Sequence, residues 1–374
     1  MTPTVLSLKA LKTGLIYRNP KPHVKSIHAY FPSVALLPNN ELLATFALGE
    51  AFESANNHTH LARSSDNGES WRLEGPVYRG TKDRLTSDYA RLTALPDGEA
   101  VIFMMRSDRT AHPDDGLSNE KTLGFVPTEL LLLRSSDGGR TWSRPAPLAP
   151  PLVGPSFELC CPIVPLRSSR WILPTATWPG WDGDCPNGIK MVALVSDDRG
   201  HSWPRYWNVM QEPKGRVFFW ESKIVELPDN RLLAVAWAYD DKAKKDRPNQ
   251  YAISADGGAT WQAPRSTGLW GQTLTPIVLK DGRILCVYRR MDKTGLWVNV
   301  SRLEKDKWIN EAEAPLWGHG AANLTAATKN MSHNFNVLRF GAPCIVRLPD
   351  GALFVAFWGY EDCVSNIRWF KFKI

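Results

Sequence analysis

The chain has 374 residues, and its 45 Lys and Arg against 38 Asp and Glu give a formal net charge of +7. With 43% hydrophobic and 22% charged residues, the composition is that of a globular protein and excludes a disordered one. The 28 Pro, 27 Gly and 16 Trp argue against a helical bundle and predict many short strands joined by turns.

The modest basic surplus favours an anionic ligand. It does not predict a nucleic-acid partner, because one compact basic run, Lys242–Lys245, stands in a polar, loop-like stretch. The first 19 residues lack the apolar run of a secretory signal, and no stretch approaches about 18 apolar residues. We therefore expect no membrane partner and a cytoplasmic protein, or a secreted or periplasmic one if a signal has been removed. The six Cys lack zinc-ligand spacing, so reduced thiols are expected.

From the N-terminus onwards, the first predicted strand is Gly14–Arg18. A strand–turn–strand phrase of the type Val-x-Leu-Pro-Asp-Gly then recurs along the chain, and each copy predicts an apolar strand, a tight turn and a second apolar strand. The six predicted turns begin at Pro38, Pro96, Arg167, Pro228, Lys280 and Pro349.

A second repeat, Ser-x-Asp-x-Gly-x-(Ser/Thr)-Trp, follows each of the first four phrases. It occupies residues 64–71, 135–142, 196–203 and 254–261, and a degenerate copy at 301–308 keeps only Ser301 and Trp308. Asp accepts hydrogen bonds from nearby N–H groups, Gly supplies a positive φ and Trp covers the turn. The box therefore predicts a structural hairpin turn rather than a catalytic Asp.

Together the two repeats predict an all-β fold, a six-bladed β-propeller of four-stranded antiparallel blades. After the sixth phrase too few residues remain for a complete blade, so the N-terminal strand is expected to close the ring. The expectation is one domain over residues 1–374. Residues 309–340, which include His319 and His333, show little strand pattern and predict a long loop over the central pocket.

The boxes and phrases resemble those of the sialidase (neuraminidase) superfamily, in which the boxes are called Asp boxes, over nearly the whole chain. Sialidases hold the substrate carboxylate with three arginines and use a Tyr–Glu nucleophile pair and an Asp acid/base. By this resemblance Glu221 matches the family glutamate, and Arg289 or Arg290 matches the third arginine. Tyr30 stands where the first arginine is expected. The positions of the second arginine, the Tyr and the Asp carry none of these residues.

The resemblance and the missing residues together imply a carbohydrate-active enzyme, an exo-acting glycoside hydrolase of the sialidase clan that uses paired carboxylates on an acidic or otherwise non-standard sugar. The alternatives are a true exo-sialidase with a rearranged site, a polysaccharide lyase, and a non-catalytic propeller that binds glycan or protein. The expected partner is a carbohydrate. We expect no cofactor and no metal, because the His58-x-His60 pair has no evident third ligand.

Candidate site residues follow from their position in a propeller, where the starts of inner strands and the loops on that rim reach the axis. Clustered carboxylates raise one another's pKa and suit an acid and base pair, while arginines suit a substrate carboxylate. The predicted catalytic residues are Glu221, Asp88, Glu53 and His58. The predicted substrate-binding residues are Tyr30, Arg91, Arg106, Glu158, Trp181, Trp237, Arg289, Arg290 and Tyr360. The alternative for Asp88 and Glu158 is a plain ion pair with a neighbouring arginine.

Overall fold

The computed structural model describes residues 3–78, 83–290, 292–321 and 338–374, and within these ranges every regular element is a β-strand. The strands form six antiparallel sheets, which confirms the six-bladed propeller. Each of these sheets is one blade, numbered here along the chain. Among the described residues, no helix has the length and apolarity that a membrane crossing requires.

In each of the first three blades, the strands follow chain order from the inner strand to the outer one. Blade 1 contains β3 (His28–Leu36), β4 (Leu42–Gly49), β5 (His58–Ser64) and β6 (Arg72–Pro76). Blade 2 contains β7 (Thr86–Ala94), β8 (Ala100–Asp108), β9 (Thr128–Ser135) and β10 (Ala146–Pro147). Blade 3 has a divided inner strand, and it contains β11 (Ser156–Phe157), β12 (Val164–Pro165), β13 (Trp171–Trp178), β14 (Met191–Ser196) and β15 (Arg205–Met210).

The last three blades use the same order. Blade 4 contains β16 (Val217–Glu226), β17 (Leu232–Asp240), β18 (Lys245–Ser254) and β19 (Arg265–Ser266). Blade 5 contains β20 (Gly271–Val278), β21 (Ile284–Arg290), β22 (Gly295–Glu304), β23 (Lys307–Trp317) and, parallel to β23, the short β1 (Thr4–Val5). Blade 6 contains β24 (Phe340–Arg347), β25 (Leu353–Glu361), β26 (Val364–Lys373) and β2 (Lys9–Tyr17).

The N-terminal strand closes the ring, as predicted. Strand β2 pairs antiparallel with β26, with Gly14 opposite Trp369. A Cβ at Gly14 would lie 2.7 Å from the Trp369 ring, so only glycine lets the indole pack against this strand. The first and last segments of the chain therefore share one sheet, and blade 6 gains its fourth strand.

The core lies between the blades. Six clusters of buried apolar side chains each join two neighbouring sheets, and the cluster between blades 1 and 2 includes Leu43, Leu61, Ile102 and Leu133. The second strands are buried on both faces, as the all-buried pattern of β4 illustrates. Burying each such Leu or Ile contributes about 1.5–3 kcal/mol.

The four box turns share one hydrogen-bond pattern on the outside of the ring. In the first, Ser64 Oγ donates to Asp66 Oδ1 at 2.7 Å, Gly68 N donates to Ser64 Oγ at 2.8 Å, and Ser70 Oγ donates to Asp66 Oδ2 at 2.5 Å. Trp71 Nε1 donates to the Gly68 carbonyl at 3.1 Å, and the second and fourth boxes repeat this bond, whereas Trp203 Nε1 of the third has no partner among the described residues. These contacts fix the turn, so the box residues serve the fold.

Two segments depart from the sequence-based expectations. The degenerate copy at 301–308 forms no box, because Lys305 and Asp306, both at positive φ, join β22 to β23 in a two-residue hairpin. The long loop expected over 309–340 is wrong for residues 309–317, which complete β23. Residues 322–337, with His333, lie outside the described residues. The prediction of one domain over residues 1–374 stays a prediction.

Candidate functional site

A cavity of about 590 Å³ lies on the propeller axis and is lined by residues from all six blades. Because inner strands surround it on every side, it is an axial cavity rather than an open groove. Its volume is ordinary for a small-molecule site. Its lining includes Phe31, Tyr89, Glu158, Glu221, Thr273 and Ala342, one from each blade in order.

Four inner strands carry the same bulge at the level of the cavity. In β16, Trp220 pairs with Trp237 and Lys223 with Val235, so two residues oppose one. The first bulge residue has positive φ in every case, and the four, called here the cavity bulges, are Phe31 (56°), Glu221 (52°), Thr273 (56°) and Ala342 (47°). A left-handed non-glycine residue is strained, and such bulges redirect side chains. Here all four bulge residues line the cavity.

In blade 3 the inner strand has no such bulge and is instead divided into two short segments. Strand β11 ends at Phe157 and β12 begins at Val164, and both pair with β13. The backbone of Glu158 remains tied to β13, because its N–H donates to the Ala176 carbonyl at 3.0 Å. The residues that follow it, up to Pro162, connect the two strand segments and line the cavity.

Two of the predicted carboxylates, those of Glu158 and Glu221, accept hydrogen bonds from backbone N–H groups beside the cavity. The Glu158 carboxylate accepts the N–H of Glu221 and, at 3.4 Å, that of Ser222. In turn Oε2 of Glu221 accepts the N–H of Thr273. Each carboxylate thus stabilises the bulge of the next blade. Within the described ranges, neither carboxylate forms an ion pair with an arginine, which was the alternative for Glu158.

Burial and neighbouring charge set the protonation of this pair. Burial raises the pKa of Glu158 to about 7; a hydrogen bond from Cys160 opposes the rise, and the charge of Glu221 adds to it. Burial also raises the pKa of Glu221, although Arg289 and Lys223 favour its charged form. Glu158 is therefore poised to exchange a proton near neutral pH.

Glu53 approaches the same cavity from the opposite side of the ring. It lies in the loop between β4 and β5 of blade 1, and blade 1 faces blade 4 across a six-membered ring. Its Oε2 accepts the Leu117 N–H at 2.7 Å, while Arg109 donates to its carbonyl at 2.8 Å. Burial raises the pKa of the Glu53 carboxyl against these hydrogen bonds and the Arg109 charge.

Asp88 and His58 form a pair of their own away from the cavity lining. Asp88 is fully buried, its Oδ2 lies 2.8 Å from His58 Nδ1, and its Oδ1 accepts the Thr59 N–H at 2.8 Å. The hydrogen bond to Asp88 raises the pKa of His58, while burial opposes this rise. The pair joins β5 to β7, so it stabilises the contact between blades 1 and 2.

The predicted arginines separate into two groups. Arg91 and Arg289 line the cavity. Arg106 does not, because its Nε pairs with Glu129 at 2.7 Å. Arg290 lies outside the lining as well, where it pairs with Asp292 and Glu313, each at 2.6 Å.

The predicted aromatic residues also divide into those that line the cavity and those that pack elsewhere. Trp237 lines the cavity, and its ring packs against that of Trp220 at a tilt of 40°, with centroids 4.3 Å apart. Tyr30 is buried among Phe31, Phe52 and Trp358 instead. Two more lie outside the lining, where Trp181 packs on His112 and Tyr360 stacks on His28.

Sequence reasoning missed three charged residues at the site. Lys223 lines the cavity two positions after Glu221, and the strand period of two is a signal that points to it. Arg109 fixes the Glu53 loop through backbone carbonyls, which leave no local pattern. Asp246 accepts the Trp237 indole N–H at 2.9 Å, and burial raises the pKa of Asp246 to about 6.

Solved structures with similar folds come from several bacteria. A protein of unknown function from Dyadobacter fermentans is 20% identical, with a TM-score of 0.73 over 98% of this chain and 99% of that one. The NanB sialidase of Streptococcus pneumoniae is 13% identical, with a TM-score of 0.65 over 96% and 70%. The intramolecular trans-sialidase of Ruminococcus gnavus is 14% identical, with a TM-score of 0.62 over 93% and 94%. These similarities show the fold.

Sequence comparison identifies the family directly. No curated protein sequence matches the chain. A family model described as a BNR repeat-like domain matches residues 92–313, which is more than half of the chain and spans the second, third and fourth boxes. The chain belongs to the BNR repeat-like domain family.

Proposed function

We propose that the chain is a carbohydrate-active enzyme, an exo-acting glycoside hydrolase that cleaves a terminal sugar held between Glu53 and Glu221. One observation carries the proposal: these two carboxyl groups reach the same axial cavity from opposite blades. Two carboxyl groups that flank a glycosidic bond are the usual machinery of its hydrolysis. The sialidase names of two similar structures agree with a substrate that is a carbohydrate.

Glu53 is the general acid of the proposed reaction. Burial raises the pKa of its carboxyl, which favours the protonated form that a general acid needs. The Leu117 N–H and the Arg109 contact to the Glu53 carbonyl fix the loop, so the carboxyl does not need to reorganise during the reaction. It protonates the leaving oxygen of the glycosidic bond.

Glu221 is the partner carboxylate of the proposed reaction. Burial raises its pKa, whereas three cations, Arg289, Lys223 and Arg91, favour its charged form, and the Thr273 N–H holds one of its oxygens. A carboxylate fixed in this way either attacks the sugar or activates a water. The different surroundings of the two carboxyl groups give them different roles.

The shape of the cavity supports exo action. A cavity surrounded by six inner strands admits the end of a glycan chain more readily than its middle, which would need an open groove. Trp178, Trp220 and Trp237 line one side of it and offer apolar faces for a sugar ring. Asp88 and His58 lie away from this lining, so the proposal does not use them in catalysis.

A substrate screen with matched variants tests the proposal. Aryl glycosides and acidic oligosaccharides would be offered to wild type, Glu221→Gln and Glu53→Gln. The control is Glu129→Gln, because Glu129 pairs with Arg106 outside the cavity. We expect hydrolysis by wild type and the control, and a loss of about 10²–10⁴ in kcat for each site variant.

Leaving groups of different acidity separate the two roles. A substrate with a strongly acidic phenol needs no proton from the enzyme, so Glu53→Gln should recover much of its rate there while Glu221→Gln does not. A product with a new double bond would indicate a lyase instead. Sugar binding without turnover would indicate a glycan-binding propeller that is not an enzyme. Hydrolysis that both variants retain would refute the proposed pair.

A further inference from the structure

The loop that carries Glu53 folds around one buried side chain, that of Asn57. The loop spans residues 50–57 between β4 and β5, and Asn57, its last residue, is fully buried. The amide nitrogen Nδ2 of Asn57 donates to the Ala51 carbonyl at 3.0 Å and to the Phe52 carbonyl at 3.2 Å. These two carbonyls directly precede Glu53 in the chain. The Asn57 side chain therefore fixes the backbone from which the Glu53 carboxyl extends.

Asn57 also connects this loop to blade 2. The same Nδ2 donates to the Tyr89 hydroxyl at 3.1 Å, and the Asn57 backbone carbonyl accepts the Asp88 N–H at 2.9 Å. Both partners belong to β7, the inner strand of blade 2, and Tyr89 lines the cavity. The two hydrogens of one amide are thus shared by three oxygens, two in the loop and one in the cavity wall.

Gly49, the last residue of β4, leaves the room that Asn57 occupies. A Cβ at Gly49 would lie 2.2 Å from Asn57 Oδ1 and 2.9 Å from Ser54 Oγ. Oδ1 is buried and, within the described ranges, has no hydrogen-bond partner. A buried polar atom without a partner costs free energy, so the fold alone does not account for an asparagine here. The donor half of the same side chain, which holds the loop, gives the reason.

The loop needs such a support because it is longer than a hairpin turn. In blades 4 and 6 the corresponding turns span residues 241–244 and 362–363 alone, and neither turn reaches the cavity. The blade 1 loop leaves the sheet instead and brings Glu53 to the cavity. Strand pairing does not extend into the loop, so side chains fix it. Arg109 holds the Glu53 carbonyl from blade 2, and Asn57 holds the two residues before it.

We propose that Asn57 is a positioning residue of the reaction: its side-chain amide holds the loop against blade 2, so that the Glu53 carboxyl meets the leaving oxygen of the glycosidic bond. This inference rests on the proposed function for the role of Glu53 as the general acid. Asn57 does not line the cavity, so it acts through the loop and not on the substrate.

Two variants displace the Asn57 amide in independent ways. Asn57→Asp keeps the shape of the side chain but places an oxygen against the carbonyls of Ala51 and Phe52. Gly49→Ala adds a methyl group that collides with Asn57 Oδ1.

Each variant has a matched control outside the cavity lining. Asn299→Asp places the same carboxyl group at a fully buried asparagine of blade 5. Gly359→Ala adds the same methyl group to the second strand of blade 6, where the nearest atom to the new Cβ is 3.3 Å away.

Aryl glycosides whose phenols differ in acidity provide the readout. With a weakly acidic phenol, both loop variants should lose about 10²-fold in kcat at a KM within about twofold of wild type, because a misplacement of about 1 Å is enough. A strongly acidic phenol leaves without a proton, so its kcat should stay within about threefold of wild type. A variant that only folds less well would lose the same fraction of its rate on both phenols. The controls should not distinguish the two phenols.

A double variant tests whether Asn57 acts through Glu53. In the Glu53→Gln background, Gly49→Ala should cause no further loss on the weakly acidic phenol, whereas losses that multiply would place its effect elsewhere and overturn the proposal. Equal losses on both phenols, unchanged kcat in both loop variants, or the same discrimination in the controls would also overturn it, and each would leave the hydrolase intact. Wild type that hydrolyses none of these glycosides would refute the proposed function, and the role of Asn57 with it. Gly49→Ala carries the test alone if Asn57→Asp does not fold.

Discussion

The box turns and the cavity bulges both recur around the ring, but they repeat in opposite ways. The four box turns repeat their residues: a Ser, an Asp, a Gly and a Trp return each time, and in each box the Ser hydroxyl donates to the Asp carboxylate. The cavity bulges repeat only their backbone, and their first residues are Phe31, Glu221, Thr273 and Ala342.

This difference separates fold from function. In the fourth box the Asp256 carboxylate accepts from the hydroxyls of Ser254 and Thr260 and from the Thr260 N–H, all of them local donors. Its oxygens are occupied by the turn. Glu221 takes one backbone N–H from the next blade and opens into the cavity. A repeated side chain with local partners stabilises the fold, whereas a varied side chain on a repeated strained backbone faces the ligand.

The largest expected effect comes from changing a bulge residue without changing its shape. Glu221→Gln should reduce kcat by about 10²–10⁴ and leave the thermal midpoint close to that of wild type, because the amide oxygen still accepts the Thr273 N–H. Steady-state kinetics and thermal denaturation together provide the check. A large drop in the midpoint with unchanged turnover would mean that this bulge serves only the fold.

Changing a box residue should have the opposite result. Asp256→Ala removes three hydrogen bonds and should lower the free energy of unfolding by about 2–3 kcal/mol, with kcat unchanged below the transition. Asp241→Ala is the control, since among the described residues the Asp241 side chain has one partner, a surface ion pair with Lys244. Urea denaturation measures both, and reduced turnover at full stability in Asp256→Ala would contradict the comparison.

The hydrogen bonds from Thr260 lower the pKa of Asp256 to about 2. Its stabilisation should therefore be complete above the unfolded pKa of about 3.9 and should disappear as the pH falls through about 2. At pH 2 the difference in stability between wild type and Asp256→Ala should shrink. A constant difference between pH 2 and pH 7 would show that the carboxylate charge contributes nothing to the turn.

The cavity carboxyl Glu158 should titrate at a higher pH than the box carboxyl Asp256. Burial raises the pKa of Glu158 to about 7, and its charged neighbours are Glu221, Lys223 and Arg91, with the Cys160 thiol beside it. The unfolded carboxyl ionises at about pH 4.3, so the raised pKa of Glu158 should cost stability that grows as the pH rises from about 4 to about 7, whereas Glu158→Gln should show no such loss. Urea denaturation of both proteins measures this, and a stability difference that stays constant from about pH 4 to pH 8 would exclude the shift.

Local chemistry made the fold predictable. Each box and phrase contains its own turn signals, and their order specifies six blades and an N-terminal closing strand. The site depends on long-range pairing, which local patterns do not reveal. Arg106 lies opposite Glu129 in the β8–β9 register, whereas Arg91 has no such partner, and both looked alike in the sequence. The bulge at Glu221 is followed by Ser222, without the Gly or Asn that would announce a positive φ.

The smallest expected effect concerns the bulge backbone itself. Ala342 has φ near 47°, where a side chain costs about 1–2 kcal/mol and glycine does not. Glycine is more flexible in the unfolded chain, by about 0.5–1 kcal/mol. Ala342→Gly should therefore be neutral or stabilising by about 0.5 kcal/mol, whereas Ala352→Gly, beside the turn into β25 where φ is not positive, should be destabilising by about 1 kcal/mol or more. Chemical denaturation of the two variants decides the point. Equal destabilisation would mean that the bulge stores no strain, and the shared backbone of the cavity bulges would then need another explanation.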